Sequence, residues 1–109
     1  MEIRFRLWFE EESHVVAGSG RVKLLEAIHE HGSISKAAAA INLSYKKASK
    51  LIESMNATVG LPLVETSTGG SGGGGTVLTE RALQIIEQYK QAHKTLSNTC
   101  HELETLFTK

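Results

Sequence analysis

One cysteine, Cys100, one proline, Pro62, and one tryptophan, Trp8, are all that these residue types contribute to 109 residues. A lone cysteine excludes an intrachain disulfide, so the fold must be held by packing, and nothing points to an oxidising compartment. No apolar stretch nears the roughly 20 residues of a membrane span. The first ten residues interleave charged and apolar side chains, where a secretory signal would need an unbroken apolar core. Cytoplasmic residence without a membrane partner is expected. Cys100 and the histidines show no metal-ligand spacing, and neither a metal nor another cofactor is expected. There is no nucleophile elbow, no base placed to serve Cys100 and no distinguished carboxylate pair, which argues against an enzyme.

Net charge is missing as well. Twelve Lys and Arg balance twelve Asp and Glu, and taken alone this counts against a nucleic-acid binder, since such domains are usually basic. The distribution says more than the sum: between Ser33 and Ile52 stand Lys36, Lys46, Lys47 and Lys50 with no acid at all, while acids gather at Glu10, Glu11 and Glu12 and along the C-terminal third. One basic face on a neutral molecule follows. With 40% apolar and 22% charged residues, the chain has the make-up of an ordinary globular domain.

Ile3, Phe5, Leu7 and Phe9 alternate with Arg4, Arg6, Trp8 and Glu10, the period of a half-buried strand. After the acidic run and Gly18-Ser19-Gly20, the spacing of Val22, Leu24, Leu25 and Ile28 predicts a helix that ends near His31, stopped by Gly32. Ser33 or Ser35 can cap a short second helix through Ala40. In Ile41-Asn42-Leu43-Ser44, Asn42 tolerates the left-handed conformation of a tight turn and Ser44 can cap a third helix from about Tyr45 to Thr58. Small and apolar Ala37, Ala38, Ile41, Leu43, Ala48 and Leu51 then face inward, the layout of a helix-turn-helix. The third helix is left to offer Tyr45, Lys46, Ser49 and Lys50 to a major groove about 12 Å wide. Ser35 and Lys36, in the first turn of the second helix, suit a phosphate. A solvated lysine face on a bland three-helix domain is the plain alternative.

Leu63 to Thr66 and Thr76 to Leu78 can form two short strands around a glycine-rich tip, a wing comprising Thr68, Gly69, Gly70, Ser71, Gly72 and Gly73. A phosphate-binding loop is disfavoured, because no Gly-Lys-Ser/Thr follows and no parallel α/β pattern surrounds it. Thr79 can cap a final helix reaching Lys109. In it Ala82, Ile86, Tyr89, His93, Leu96, Cys100, Leu103 and Phe107 recur at alternating steps of four and three, a heptad seam. The seam serves either dimerisation or packing along its own domain. About 28 residues span near 42 Å, more than one small domain covers, which favours a homodimer through Ile86, Tyr89, His93, Leu96, Cys100, Leu103 and Phe107. Leu83 and Ile85 lie off the seam and are left to pack on the body.

The run from Gly32 through Lys46, then Glu53-Ser54-Met55-Asn56 and Glu65 through Thr79 with its Gly-Gly-Ser-Gly-Gly-Gly-Gly tip, resembles the DNA-binding domain of molybdate-responsive, ModE-type bacterial transcriptional regulators. Its first part is shared with LysR-type regulators, and the Tyr45-Lys46 pair and the glycine wing are the more specific. The resemblance implies a mainly α fold with a small β wing: a winged helix-turn-helix over residues 1–78 and a dimerisation helix over 79–109. It implies a regulator that reads a palindromic double-stranded operator. Ser35, Lys36, Ser44, Tyr45, Lys46, Ser49 and Lys50 would face DNA, with Lys47 beside them. Full-length members carry oxyanion-binding domains that have no counterpart in these 109 residues, so molybdate sensing is not expected of this chain. The rival from another class is a protein-interaction module on the same fold, which zero net charge would suit.

Overall fold

The centre of the molecule is α1 (Ser19–His31), whose Val22, Leu24, Leu25, Ala27 and Ile28 are all buried. A computed structural model describes residues 1–67 and 75–108 of the chain. In order the other elements are β1 (Trp8–Glu11) and β2 (His14–Gly18) before α1, then α2 (Ile34–Ala40), α3 (Tyr45–Val59), β3 (Val64–Ser67), β4 (Gly75–Leu78) and α4 (Glu80–Phe107). Two separate antiparallel pairs, β1 with β2 and β3 with β4, are the only sheets among the described residues. The four helices with a small strand pair, β3–β4, packed through β4 against α1 make the winged helix-turn-helix that the sequence pattern predicts.

The end of α1 is set by Gly32, which lies at φ 67° and donates its N–H to the Ile28 carbonyl at 2.8 Å. Ser33, the next residue, caps α2 by accepting the Lys36 N–H at 3.2 Å. Ser35 therefore falls inside the first turn instead of capping it. The Gly32 carbonyl accepts the Thr76 N–H at 2.8 Å, and a Cβ on Gly75 would stand 3.3 Å from the same oxygen. One glycine thus ends a helix, precedes a cap and anchors the inner strand of the wing.

The alternating N-terminus behaves differently from the single strand predicted over Ile3 to Phe9. Only Trp8 onward pairs, and its partner is β2, a strand the sequence pattern did not announce. Glu12 and Ser13 both take positive φ, 50° and 68°, and close a two-residue hairpin. Such turns favour Asn-Gly, so Glu-Ser carries no turn signal. Residues 3–7 keep their in-out alternation but lie along α4. The Ile3 N–H donates to Glu104 Oε2 at 2.6 Å, and Tyr89 donates its hydroxyl to the Leu7 carbonyl at 3.1 Å. The Phe5 and His93 rings sit 5.0 Å apart, and those of Phe9 and Tyr89 5.5 Å apart.

Thr79 caps α4 as expected, accepting the Ala82 N–H at 3.4 Å, and its hydroxyl donates to the Pro62 carbonyl at 2.9 Å. Ala82, Ile85, Ile86 and Tyr89 of the 28-residue helix are buried in the common core. Ile86 and Tyr89, counted in the heptad seam, are thereby committed to the chain's own interior, where an intrachain core position and a coiled-coil position share one spacing. Ile85 packs on the body as expected, whereas Leu83 is 41% exposed, because it lies on the flank of the helix, turned away from the buried stripe. On the flank, Lys90 Nζ meets the Glu26 carboxylate at 2.6 Å, and that hydrogen bond and charge raise the lysine above its ordinary pKa.

Gly32→Ala should cost about 1 kcal/mol for a side chain held at positive φ. Met55→Ala, which empties a fully buried position, should cost about 2–5 kcal/mol. Urea unfolding of both variants checks the ranking, which a larger loss for Gly32→Ala would reverse.

Candidate nucleic-acid interface

On α2 and α3, which pack against each other, Ala37, Ala38 and Ala48 are essentially without solvent exposure. Side chains this small let two backbones approach, and the Leu43 N–H donates to the Ala38 carbonyl at 2.9 Å across the turn. Asn42 takes φ 60° at the bend, as the sequence predicts, and Ser44 then caps α3 by accepting the Lys47 N–H at 3.1 Å. At the far end Gly60, at φ 78°, closes the helix on the Asn56 carbonyl, and Asn56 Oδ1 accepts the Leu63 N–H at 2.9 Å. Both ends of α3 are therefore fixed. Ala48, Ile52 and Met55 bury one face of it, and the opposite face is free.

That free face holds the expected residues. Lys46 and Lys50 are exposed, Ser49 is partly exposed beneath them, and Tyr45 is 58% exposed at the helix start. Ser44 is exposed at the cap, and Ser35 and Lys36 are exposed on the first turn of α2. Lys47 is also exposed but points toward α1, lining a groove with Gly20, Arg21, Ile41, Leu43 and Leu51. None of the four lysines of α2 and α3 enters an ion pair among the described residues. Their charges face solvent without an ion-pair partner among the described residues, a local cationic surface on a molecule of zero net charge.

Glu53 also belongs to this face, and the sequence expectation, which stopped at Lys50, did not include it. At about 100° per residue, Lys46, Ser49, Lys50 and Glu53 stand at i, i+3, i+4 and i+7, one continuous stripe. The i+7 spacing from Lys46 is the signal that finds it. The wing residues Thr68, Gly69, Gly70, Ser71, Gly72 and Gly73 lie outside the described residues. The root of the wing, packed on α1 through β4, pairs Val64 with Leu78, Glu65 with Val77, Thr66 with Thr76 and Ser67 with Gly75.

The predicted seam residues of α4 divide into two groups. Ile86 and Tyr89 are buried and the His93 ring faces Phe5. Past that point Leu96 is 40% and Phe107 55% exposed, with Cys100 and Leu103 half-buried. The N-terminal residues Glu2 to Phe5 flank Ser97, Cys100, His101 and Glu104, which leaves the side of the helix bearing Ala92, Leu96 and Leu103 uncovered among the described residues.

The family model described as "Bacterial regulatory helix-turn-helix protein, lysR family" matches residues 20–83. The chain is 40% identical over 84 residues to the "Transcriptional regulator ModE" of Haemophilus influenzae, covering 77% of this chain and 33% of that protein. It is 38% identical over 89 residues to the "DNA-binding transcriptional dual regulator ModE" of Escherichia coli, covering 82% of this chain and 34% of that one. The chain thus spans about a third of the length of these relatives. Among solved structures, the DNA-binding domain of CbnR in complex with DNA aligns with a TM-score of 0.61 at 18% identity, over 80% of this chain and 94% of that one. The LysR family regulator VV2_1132 aligns with a TM-score of 0.57 at 20% identity, over 73% of this chain and 26% of that one. No helix among the described residues is long and apolar enough to cross a membrane.

Because the Ser44 hydroxyl is the only side-chain cap on α3, Ser44→Ala should lower stability by about 1 kcal/mol. Chemical denaturation with circular dichroism measures it, and an unchanged midpoint would remove the cap from the account.

Proposed function

We infer that this chain, which belongs to the lysR family of bacterial regulatory helix-turn-helix proteins, binds double-stranded DNA sequence-specifically and regulates transcription. The observation that carries the reading is the outward face of α3, where Tyr45, Lys46, Ser49 and Lys50 stand clear of the core with no ion pair among the described residues. Lysine there can reach guanine acceptors or phosphates, serine can donate or accept, and tyrosine can reach a phosphate or a thymine methyl. Ser35 and Lys36 on α2, with Ser44 and Lys47 at the flanks of α3, hold the phosphate backbone and set the register. The wing tip, Thr68 to Gly73, lies against the adjacent sugar-phosphate surface, where glycine permits close approach. Residues 1–78 act as the DNA-binding unit and 79–109 as the dimerisation helix, whose first turns also close the core. The reading places the protein in the cytoplasm and assigns it no catalytic role, no cofactor and no oxyanion site on these residues. The link to molybdenum stays with the relatives' names.

Two copies join through the part of α4 that leaves the body, along Leu96, Cys100, Leu103 and Phe107. Their two α3 helices then enter successive major grooves, about 34 Å apart, of a palindromic operator. The exposed apolar side chains of Leu96 and Phe107 support this pairing, as does a helix longer than its body can cover.

Lys46→Ala and Lys50→Ala should each weaken duplex binding and lower the slope of log K against log salt by about 1 per lost phosphate contact, with thermal unfolding unchanged. Titration of a duplex at two salt concentrations reads this, and salt-independent or absent binding would favour the protein-interaction alternative. Leu96→Glu should convert a dimer to a monomer in sedimentation equilibrium, and a variant that stays dimeric would move the interface elsewhere.

A further inference from the structure

We propose that Glu53 is a specificity-determining residue of the α3 surface, selecting a cytosine in each half-site through its carboxylate. The inference rests on the DNA-binding reading above and deepens it. Glu53 is exposed and shares the stripe of Lys46, Ser49 and Lys50, yet it enters no ion pair among the described residues. From Lys46 to Glu53 is about 10.5 Å along the helix axis, about three base-pair rises of 3.4 Å, so a helix lying in the major groove carries both over one half-site. A carboxylate carried into that groove meets phosphates on both sides and loses water, and both effects oppose binding unless it finds a hydrogen-bond donor.

The groove edges of the four bases decide which one supplies it. Guanine shows two acceptors and thymine one acceptor with a methyl group, so both leave the carboxylate unsatisfied. Adenine offers its N6 donor beside the N7 acceptor, which repels the second carboxylate oxygen. Cytosine alone presents only a donor, its N4 amine. Glu53 therefore acts by rejection as much as by attraction, and its discrimination is sharpest against guanine and thymine. Lys50, one turn earlier, and Lys46, two turns earlier, offset its charge and keep the whole face attractive to DNA.

Selection of bound duplexes from a random pool, run in parallel with the unaltered protein, Glu53→Ala and Glu53→Gln, tests the proposal. The unaltered protein should enrich cytosine roughly tenfold over thymine or guanine at one position of each half-site. Glu53→Ala should flatten that position and leave the others intact. Glu53→Gln should move the preference to adenine, which an amide contacts through N6 and N7. A purely structural role for Glu53 would not exchange one base for another. Three superimposable selected sites would overturn the assignment while leaving DNA binding in place. Recovery of no sequence by the unaltered protein would overturn the DNA-binding reading and the assignment with it.

Discussion

The left-handed conformation of Gly32 fixes the arrangement on which the interface depends. Its N–H completes α1, its carbonyl holds Thr76 of β4, and the chain leaves it directly into the Ser33 cap of α2. Three elements, the central helix, the first helix of the helix-turn-helix and the inner strand of the wing, thus meet at one residue, through the two peptide units that flank its Cα. Gly75 lies against the same carbonyl closely enough that a side chain there would crowd it. From this junction the orientation of α3 follows, since α2 is short and its crossing with α3 is made by alanines that permit little variation in distance.

Electrostatically, the chain achieves locally what its composition denies globally. Most of its acids are placed on the β1–β2 hairpin, on α1 and along α4, while α2 and the first two turns of α3 carry Lys36, Lys46, Lys47 and Lys50 and no acid. A neutral molecule has a weak long-range field, so the attraction of α3 for a polyanion acts mainly within a Debye length of about 8–10 Å. Such a surface gives less non-specific adhesion than a uniformly basic domain and puts more weight on base contacts. An acid on the same stripe is consistent with that economy.

Much of the fold was legible because its turns use residues that turns require. Gly32, Asn42 and Gly60 occupy left-handed positions, and Ser44 and Thr79 cap the helices that follow them. The set proposed for DNA contact was legible for the same reason, since two ends of α3 fixed by local chemistry determine which side chains point outward. The parts that escaped depend on tertiary context. Glu12-Ser13 makes a hairpin turn without any residue that favours one. Ile3 to Leu7 has strand periodicity but spends it against α4, 82 to 101 positions away in sequence. Ile86 and Tyr89 fit a seam and a core equally well, and only the position of α1 and Phe9 decides between them. Glu53 stands one residue past the acid-free window, so charge pattern alone leaves it out, and only the helical spacing of the folded α3 puts it on the stripe.

The alignment of the first residues with the last turns of α4 has a practical side. Ile3 and Glu104 are joined by a hydrogen bond, and position 104 lies about 22 Å along the helix beyond Tyr89. Polypeptide attached near Ile3 or near Glu104 would therefore issue from neighbouring points, beyond the turns of α4 that close the core. A reporter or purification handle fused there would sit outboard of the core. A short linker joining the two ends would yield a permutable ring without obstructing the cationic helix.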